Sequence, residues 1–374
     1  MIKNEFKHLD ALRGIMAMYV TLVHFFILYS LNKHNELVFT NLSYLSVVQF
    51  GQVLMTVFFV LSGFLITYIL LIEKEKSGTI NFKRFYLRRA FRILPMYYLA
   101  VGGMYLLYKK ACISPDMITT PLCSELRQRT FYYVFMVPNW AHAIDKTLPH
   151  ISNYWSIGAE EQFYILWPIV LYFTIQFIRT FFGIYLFYSL LLIGMVIVGN
   201  LYFPDHVLFT NIAKLMDYTR FGAFAFGGLI AYYLLHHEKP ANLHIHTIFI
   251  RKSTQIICLL LPLIVNIIPN EHVLFLKHIV VIPCCGIIIY NLAFDKNSIL
   301  KLDNKILNYL GKTTYSLYIL NQIVIDFMIK ICFAAHFKNP VKIGMLTITV
   351  LIVLSIISYE LIEKPFMKLR RIFG

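Results

Sequence analysis

His24 and Arg13 stand eleven residues apart in the run LDALRGIMAMYVTLVHF. On an α-helix this spacing leaves the two side chains about 20° apart around the axis and about 16 Å apart along it. A neutral imidazole can take a proton from a hydroxyl and return it, which is what a base does in acyl transfer to an alcohol. A guanidinium fits a phosphate or a carboxylate. The pair is therefore a candidate base with a candidate anion contact three turns away. His24 could equally hydrogen-bond across a helix bundle, and spacing alone leaves both readings open.

Other polar residues interrupt apolar stretches. Asp10 precedes Arg13 by one turn. Arg84, Arg88 and Arg92 recur every four residues and share a helix face, with Arg89 beside them. Such a cluster suits anionic lipid or a polyphosphate ligand. The block WSIGAEEQFY, residues 155–164, sets Glu160 and Glu161 side by side where an apolar run begins at the outer face. Asp217 and Arg220 can pair within another run. Tyr315, Ser316, Tyr318 and Asn321 form a polar stripe in a late one, and Glu360 and Glu363 close the last, where an interfacial cap would explain them. An ionisable group at the centre of a membrane helix costs roughly 2.5–3.5 kcal/mol on insertion scales, so these residues are where function is sought first. Other chemistries lack their motifs. There is no P-loop, dinucleotide fingerprint, nucleophile elbow, CxxC pair or zinc spacing, and no metal is expected. The glycine pairs 102–103 and 227–228 lie in apolar runs and read as close helix packing.

The elements that must position these residues are membrane helices. The chain of 374 residues is 59% apolar, above the roughly 45–50% of soluble domains. The excess falls in blocks of about twenty residues, enough to cross about 30 Å of hydrocarbon. Crossings are expected at roughly 9–31, 46–72, 91–109, 156–178, 181–201, 210–236, 254–269, 273–293, 309–335 and 341–362. The expected fold class is an all-α integral membrane protein of about ten transmembrane helices. Its first run is too long for a signal peptide, and no small-residue cleavage site follows it. With the N-terminus in the cytoplasm, most of the 34 Lys and Arg fall in inner segments, and an even number of crossings makes both termini cytoplasmic. The net charge of +15 is then topological, and no nucleic-acid partner is expected. Residues 1–374 read as a single domain without repeat or appended soluble part. Two connections are long, 73–90 inside and 110–154 outside, and the apolar stretch 131–140 is too short to span and suits an interfacial or re-entrant piece. Cys112 and Cys123 share that outer connection and could form a disulfide in an oxidising compartment, a question their spacing leaves open. The other cysteines read as small apolar residues.

Taken in order, these segments resemble the acyltransferase-3 family of bacterial membrane O-acyltransferases. LDALRGIMAMYVTLVHF resembles its opening helix, FFVLSGFLIT (58–67) its second motif with Ser62 and Gly63, and RRAFRILPMYY (88–98) its Arg-x-x-Arg segment at Arg89 and Arg92. WSIGAEEQFY, RFGAFAFGGLIA, GKTTYSLYIL and SYELIEKPF resemble its later blocks. The resemblance covers the whole chain. It implies a multi-pass protein of the bacterial cytoplasmic (inner) membrane, with no permanently bound cofactor, that takes acetyl-CoA or another acyl-CoA as donor. The acceptor would be a hydroxyl of an envelope glycan (lipopolysaccharide O-antigen, exopolysaccharide or peptidoglycan) or of a lipid-linked sugar. His24 would be base or transient acyl carrier. Arg13, Arg89, Arg92, Ser62 and Gly63 would hold the donor, and Glu160 or Glu161 the acceptor; Asp10, Arg220, Tyr315, Ser316 and Asn321 are the other intramembrane polar positions. One departure stands out. Many members carry a histidine where this chain has Asn321, which leaves His24 as the candidate base in the core. Some members carry a C-terminal esterase-like domain; none is expected here, so the chain would complete the transfer alone or pass the acyl group to a partner enzyme. A carrier or flippase of a polar substrate would also place charges inside the membrane, although the paired halves common in such proteins are not seen.

Overall fold

The computed structural model describes residues 6–32, 41–114, 117, 119–202, 206–267, 277–294, 298–337 and 339–369. Among them every regular element is helical. The long helices are α1 (Lys7–Asn32), α2 (Asn41–Ser77) and α3 (Phe82–Ala111). After α3 come α4 (Leu126–Val134), α5 (Pro138–Ala143), a short turn Ser152–Tyr154, then α6 (Trp155–Phe173) and α7 (Phe177–Tyr202). The chain continues through α8 (Val207–Thr219), α9 (Phe221–Leu235), α10 (Pro240–Ile250), α11 (Lys252–Ile267) and α12 (Ile282–Phe294). It ends with α13 (Lys305–Lys312), α14 (Thr314–Ala334), α15 (Pro340–Ser358), a π-helical turn Tyr359–Glu363, and α16 (Lys364–Leu369). Asparagine caps start two of them. The Asn81 side chain accepts from the Arg84 amide at 2.9 Å, and Asn339 accepts from the Lys342 amide at 3.1 Å with Pro340 in the first turn.

Among the described residues six helices are long and apolar enough to cross a membrane, α1, α2, α3, α7, α14 and the run from α15 onward, or seven if the pair α10–α11 counts as one. The protein is therefore a multi-pass membrane protein, with fewer uninterrupted crossings than the apolar blocks suggest. The block 210–236 breaks at Arg220, whose backbone is left-handed (φ 48°) between α8 and α9. The block 254–269 belongs to a pair bent by 67°. In α6, Glu160, Glu161 and Gln162 dilute the apolar run. The expected crossing at 273–293 lies partly outside the described residues.

One compact unit comprises residues 1–20, 39–80 and 163–312. In it α9 lies so close to α2 that a Cβ on Gly63 would sit 2.1 Å from the Phe224 carbonyl oxygen, and one on Gly227 2.0 Å from that of Val60. Phe163 stacks on Phe224 with centroids 4.2 Å apart, and Trp167 Nε1 donates to Thr67 Oγ1 at 2.7 Å. Lys74 Nζ donates to the carbonyls of Leu171, Tyr172 and Thr174 at 2.7–3.2 Å, closing the C-terminal end of α6. By contrast, nothing lies within 4 Å of a Cβ on Gly102 or Gly103 among the described residues, so helix packing does not account for that pair.

The second unit comprises residues 21–38, 81–162 and 313–374. Phe25, Tyr29, Ile325, Ile329, Cys332 and Ile343 form its apolar cluster, binding α1 to α14 and α15. The connection after α3 is folded. Cys112 and Cys123 are joined in a disulfide, the Tyr97 hydroxyl donates to the Tyr133 carbonyl at 2.9 Å, and the Tyr133 hydroxyl accepts from the Leu148 amide at 3.1 Å. The stretch 131–140 is the end of α4, a turn and the start of α5.

From there the chain runs along α14. His150 meets Asp326, Ser152 and Asn153 bond Gln322, the Tyr154 hydroxyl donates to the Ile319 carbonyl, and Ser156 meets Tyr318. From Asp326 to Tyr318 is eight residues of helix, about 12 Å. The first residue of α6 follows a segment laid alongside α14, regular only at the turn Ser152–Tyr154, whose polar groups are taken up by Gln322 and Tyr318. Irregular backbone is tolerated inside a membrane bundle only where protein satisfies it.

Candidate active site

In the second unit α1 and α14 pair through three polar side chains. Asn321 is fully buried. Its Nδ2 donates to Thr21 Oγ1 at 2.7 Å, and its Oδ1 lies 2.9 Å from His24 Nδ1. An amide oxygen only accepts, so Nδ1 carries the ring hydrogen and Nε2 keeps a lone pair. An amide thus orients this imidazole where hydrolase triads use a carboxylate or an asparagine. The residue that departs from the family pattern is the one that holds His24.

A second group lies further along α14. Tyr315 is six residues from Asn321, about 9 Å along the helix, and its hydroxyl donates to the Ile93 carbonyl of α3 at 2.7 Å. Arg89 lies over the Phe85 ring at 5.7 Å and is near enough to Glu161 to act on it electrostatically, as is Glu160. Tyr315 feels both Glu161 and Glu363. Glu363 is buried, receives the Ser316 hydroxyl and lies in the field of Arg92. It is no interfacial cap; Glu360, which pairs with Lys364, fits that description better. Glu161 Oε1 is buried without a hydrogen-bond partner. Arg89, Arg92, Glu160, Glu161, Tyr315 and Ser316 thus belong to one neighbourhood, with His24 and Asn321 a short way along α14.

The remaining expected residues lie in the first unit. Arg13 Nη1 is 3.7 Å from Asp10 Oδ1, and α1 is unbroken from Lys7 to Asn32, so the helical spacing of Arg13 and His24 stands. Ser62 is buried, and the approach of Phe224 accounts for glycine at 63. Arg220 is more than half of an Asp217 pair. Its guanidinium donates to Gln52 Oε1 at 2.7 Å, Thr56 Oγ1 at 2.9 Å and the Asp217 carbonyl at 2.9 Å, with the Asp217 carboxylate at 3.8 Å. These bonds hold the break between α8 and α9.

The sequence pattern does not single out Tyr108, His150, Asp326 and Lys330, which cluster at the other end of α14. Asp326 and Lys330, four residues apart in an apolar run, were the available signal. Among the described residues no three His, Cys, Asp or Glu side chains are grouped to hold a metal ion.

Residues 6–359 match the family model described as "Acyltransferase domain" (acyltransferase-3). The chain is 28% identical over 333 residues to "Putative O-acetyltransferase SACOL0978" of Staphylococcus aureus strain COL, a match covering 83% of this chain and 52% of that protein. It is 25% identical over 333 residues, with the same coverage, to "O-acetyltransferase OatA" of S. aureus strain NCTC 8325. "Peptidoglycan O-acetyltransferase OatA" of Listeria monocytogenes is 30% identical over 131 residues, 34% of this chain and 21% of that protein. The chain spans about half the length of the curated relatives it matches. No solved structure matches it.

Proposed function

The chain belongs to the acyltransferase-3 family, and on that premise we propose that it transfers an acyl group, most simply acetyl, from cytoplasmic acyl-CoA to a glycan hydroxyl. The acceptor would be a cell-envelope glycan or lipid-linked sugar at the outer side of a bacterial cytoplasmic membrane. The observation that carries this reading is the His24 imidazole held through Nδ1 by a buried amide, with Nε2 left basic. Nε2 takes the acceptor hydroxyl's proton as its oxygen attacks the thioester carbonyl. The carbon–sulfur bond breaks, and the proton passes from Nε2 to the departing thiolate, leaving an ester and free CoA. The same nitrogen would carry the acyl group if transfer goes through an acyl-imidazole. Positioned proton transfer contributes about 10²–10⁴-fold.

Arg89 and Arg92 hold the donor's phosphates, with Arg13, Ser62 and Gly63 as further donor contacts taken from their motifs. The roughly 9 Å along α14 between Tyr315 and Asn321 lets a flexible donor arm reach the histidine while its head stays on the arginines. Glu160 and Glu161 address the acceptor, and a sugar hydroxyl would supply the hydrogen that Glu161 Oε1 lacks. The printed name of the Listeria relative makes peptidoglycan the first acceptor to try. Both termini lie in the cytoplasm, and the shorter or broken helices α6, α8–α9, α10–α11 and α12 supply the crossings beyond the long ones.

The test is label transfer from acyl-CoA to envelope glycan by membranes carrying the wild type or His24→Ala at equal protein levels. Loss of labelling is expected. Unchanged labelling removes His24 from the chemistry, and substrate movement without labelling would point to a carrier.

A further inference from the structure

Where the chain begins its run along α14 lies a titratable cluster that the proposed reaction does not use. His150 Nε2 is 2.8 Å from Asp326 Oδ2, and His150 Nδ1 is 3.0 Å from the Tyr108 hydroxyl oxygen. That hydroxyl also donates to the Pro149 carbonyl. Counting hydrogens fixes the state of the ring. A carbonyl only accepts, so the single phenolic hydrogen is used on Pro149. Nδ1 must then donate to the tyrosine oxygen, and Nε2, which faces a carboxylate, must donate as well. A ring donating from both nitrogens is an imidazolium.

Of the charged groups around it, the Asp326 carboxylate favours a cation and the Lys330 ammonium opposes one. From α14 come Asp326, nearly buried, and Lys330, whose Nζ is 2.6 Å from Asp326 Oδ2 and 3.4 Å from His150 Nε2. From α1, Asn32 Nδ2 lies 3.4 Å from the other carboxylate oxygen. From α3 comes Tyr108, and Phe327 stacks on the ring at 6.2 Å. A neutral ring makes only two of the three contacts among Asp326, Tyr108 and Pro149 with hydrogens in place, and it leaves Asp326 to Lys330 and Asn32. The His150 backbone is left-handed, φ 61°, a conformation a non-glycine residue keeps only when its surroundings fix it.

We propose that His150 is a positioning residue. As an imidazolium between Asp326 and Tyr108 it fixes where segment 150–156 begins its run along α14, and hence where Glu160 and Glu161 stand. Loss of its second proton loosens that segment. The clasp stands on its own contacts, and only its effect on catalysis rests on the acyl-transfer reading.

Hydrogen exchange of the full chain in lipid nanodiscs tests it. Peptides covering 149–156 are followed across a pH range in which the protein stays folded, after correction for intrinsic exchange. The wild type is expected to exchange several-fold faster at the upper end. His150→Gln should be fast and flat with pH. Tyr108→Phe, which keeps the ring's bulk, should shrink the step and serves if the glutamine variant does not fold. In the transfer assay His150→Gln should raise the acceptor KM, leave the donor KM alone and flatten the pH profile. A wild-type exchange rate flat across that range, or equal protection in the variants, overturns the clasp. A pH step in a wild type that transfers no label keeps the clasp and removes the acyl-transfer reading. Transfer with no pH step does the reverse.

Discussion

Replacing Asn321 with alanine tests the arrangement at His24 most directly. The amide accepts from the ring at 2.9 Å and holds Thr21 at 2.7 Å from a fully buried position. Alanine removes the bond that decides which ring nitrogen carries the hydrogen. A neutral hydrogen bond contributes about 0.5–1.5 kcal/mol net. If that energy goes into orienting the base, its loss slows transfer roughly two- to thirteenfold, since about 1.4 kcal/mol is a factor of ten. His24→Ala removes proton transfer itself and should cost about 10²–10⁴-fold. Asn321 acts through His24, so the double variant should be no slower than His24→Ala. The assay is the rate of label transfer from acyl-CoA to glycan, normalised to folded protein, because truncating a fully buried side chain also lowers stability. A full rate in Asn321→Ala refutes the orienting role. So do losses that multiply in the double variant, which would mean the two residues act separately.

Glu161→Gln keeps the shape and removes the ionisable group, and it should raise the acceptor KM more than the donor KM; the opposite split in steady-state kinetics moves this side chain to the donor. Gly63→Ala puts a methyl 2.1 Å from the Phe224 carbonyl oxygen, an overpacking that costs roughly 1–3 kcal/mol, and a melting temperature equal to wild type would contradict the close crossing of α2 and α9. The hydrogen bond from Lys146, and after it Arg129, hold the Glu125 carboxyl below the usual carboxylate range against an opposing desolvation. The folded group therefore binds its proton less tightly than the unfolded one, and the pair adds stability above the ordinary glutamate range that disappears as pH falls through the lowered value. Thermal unfolding should show an acid limb below about pH 4–5 that Glu125→Gln makes shallower, and identical limbs would remove the ion pair from the stability of this loop.

What could be read from the sequence was what local composition encodes. Blocks of apolar residues announce the long helices, because burial in lipid needs only length and hydropathy. Arg220 was visible as a charge inside such a block, but its left-handed backbone and its bonds to Gln52 and Thr56 depend on a helix far away in the chain. Asn321 was visible as a departure from a family pattern. Its contact with His24 joins residues nearly three hundred positions apart, and no periodicity reports such a pairing. The run of 150–156 along α14 was hidden for a related reason. Irregular backbone inside a membrane bundle is set by the partners that satisfy it, here Gln322 and Tyr318, while the segment itself reads like any polar loop.

On the acyl-transfer reading proposed above, that run bears on where the acceptor would go. Among the described residues Glu161 Oε1 is the one carboxylate oxygen that is buried without a hydrogen-bond partner, and an ionisable oxygen in that condition is far costlier than a stray hydroxyl. A ligand hydroxyl is the natural remedy. Glu161 follows Ser156, which bonds Tyr318, and it acts on Tyr315 at the start of α14. Asn321 and His24 lie between that level and Asp326. On the proposed acyl-transfer reading, a sugar whose hydroxyl bonds Glu161 would lie past His24 as counted from the His150 end, and a neighbouring hydroxyl of the same sugar would be the one offered to His24. Glu161 would then select which hydroxyl is acylated as well as helping to bind the acceptor. Glu161→Gln should shift the position of the ester on the sugar as well as slow its formation, and a product with unchanged regiochemistry would confine Glu161 to binding.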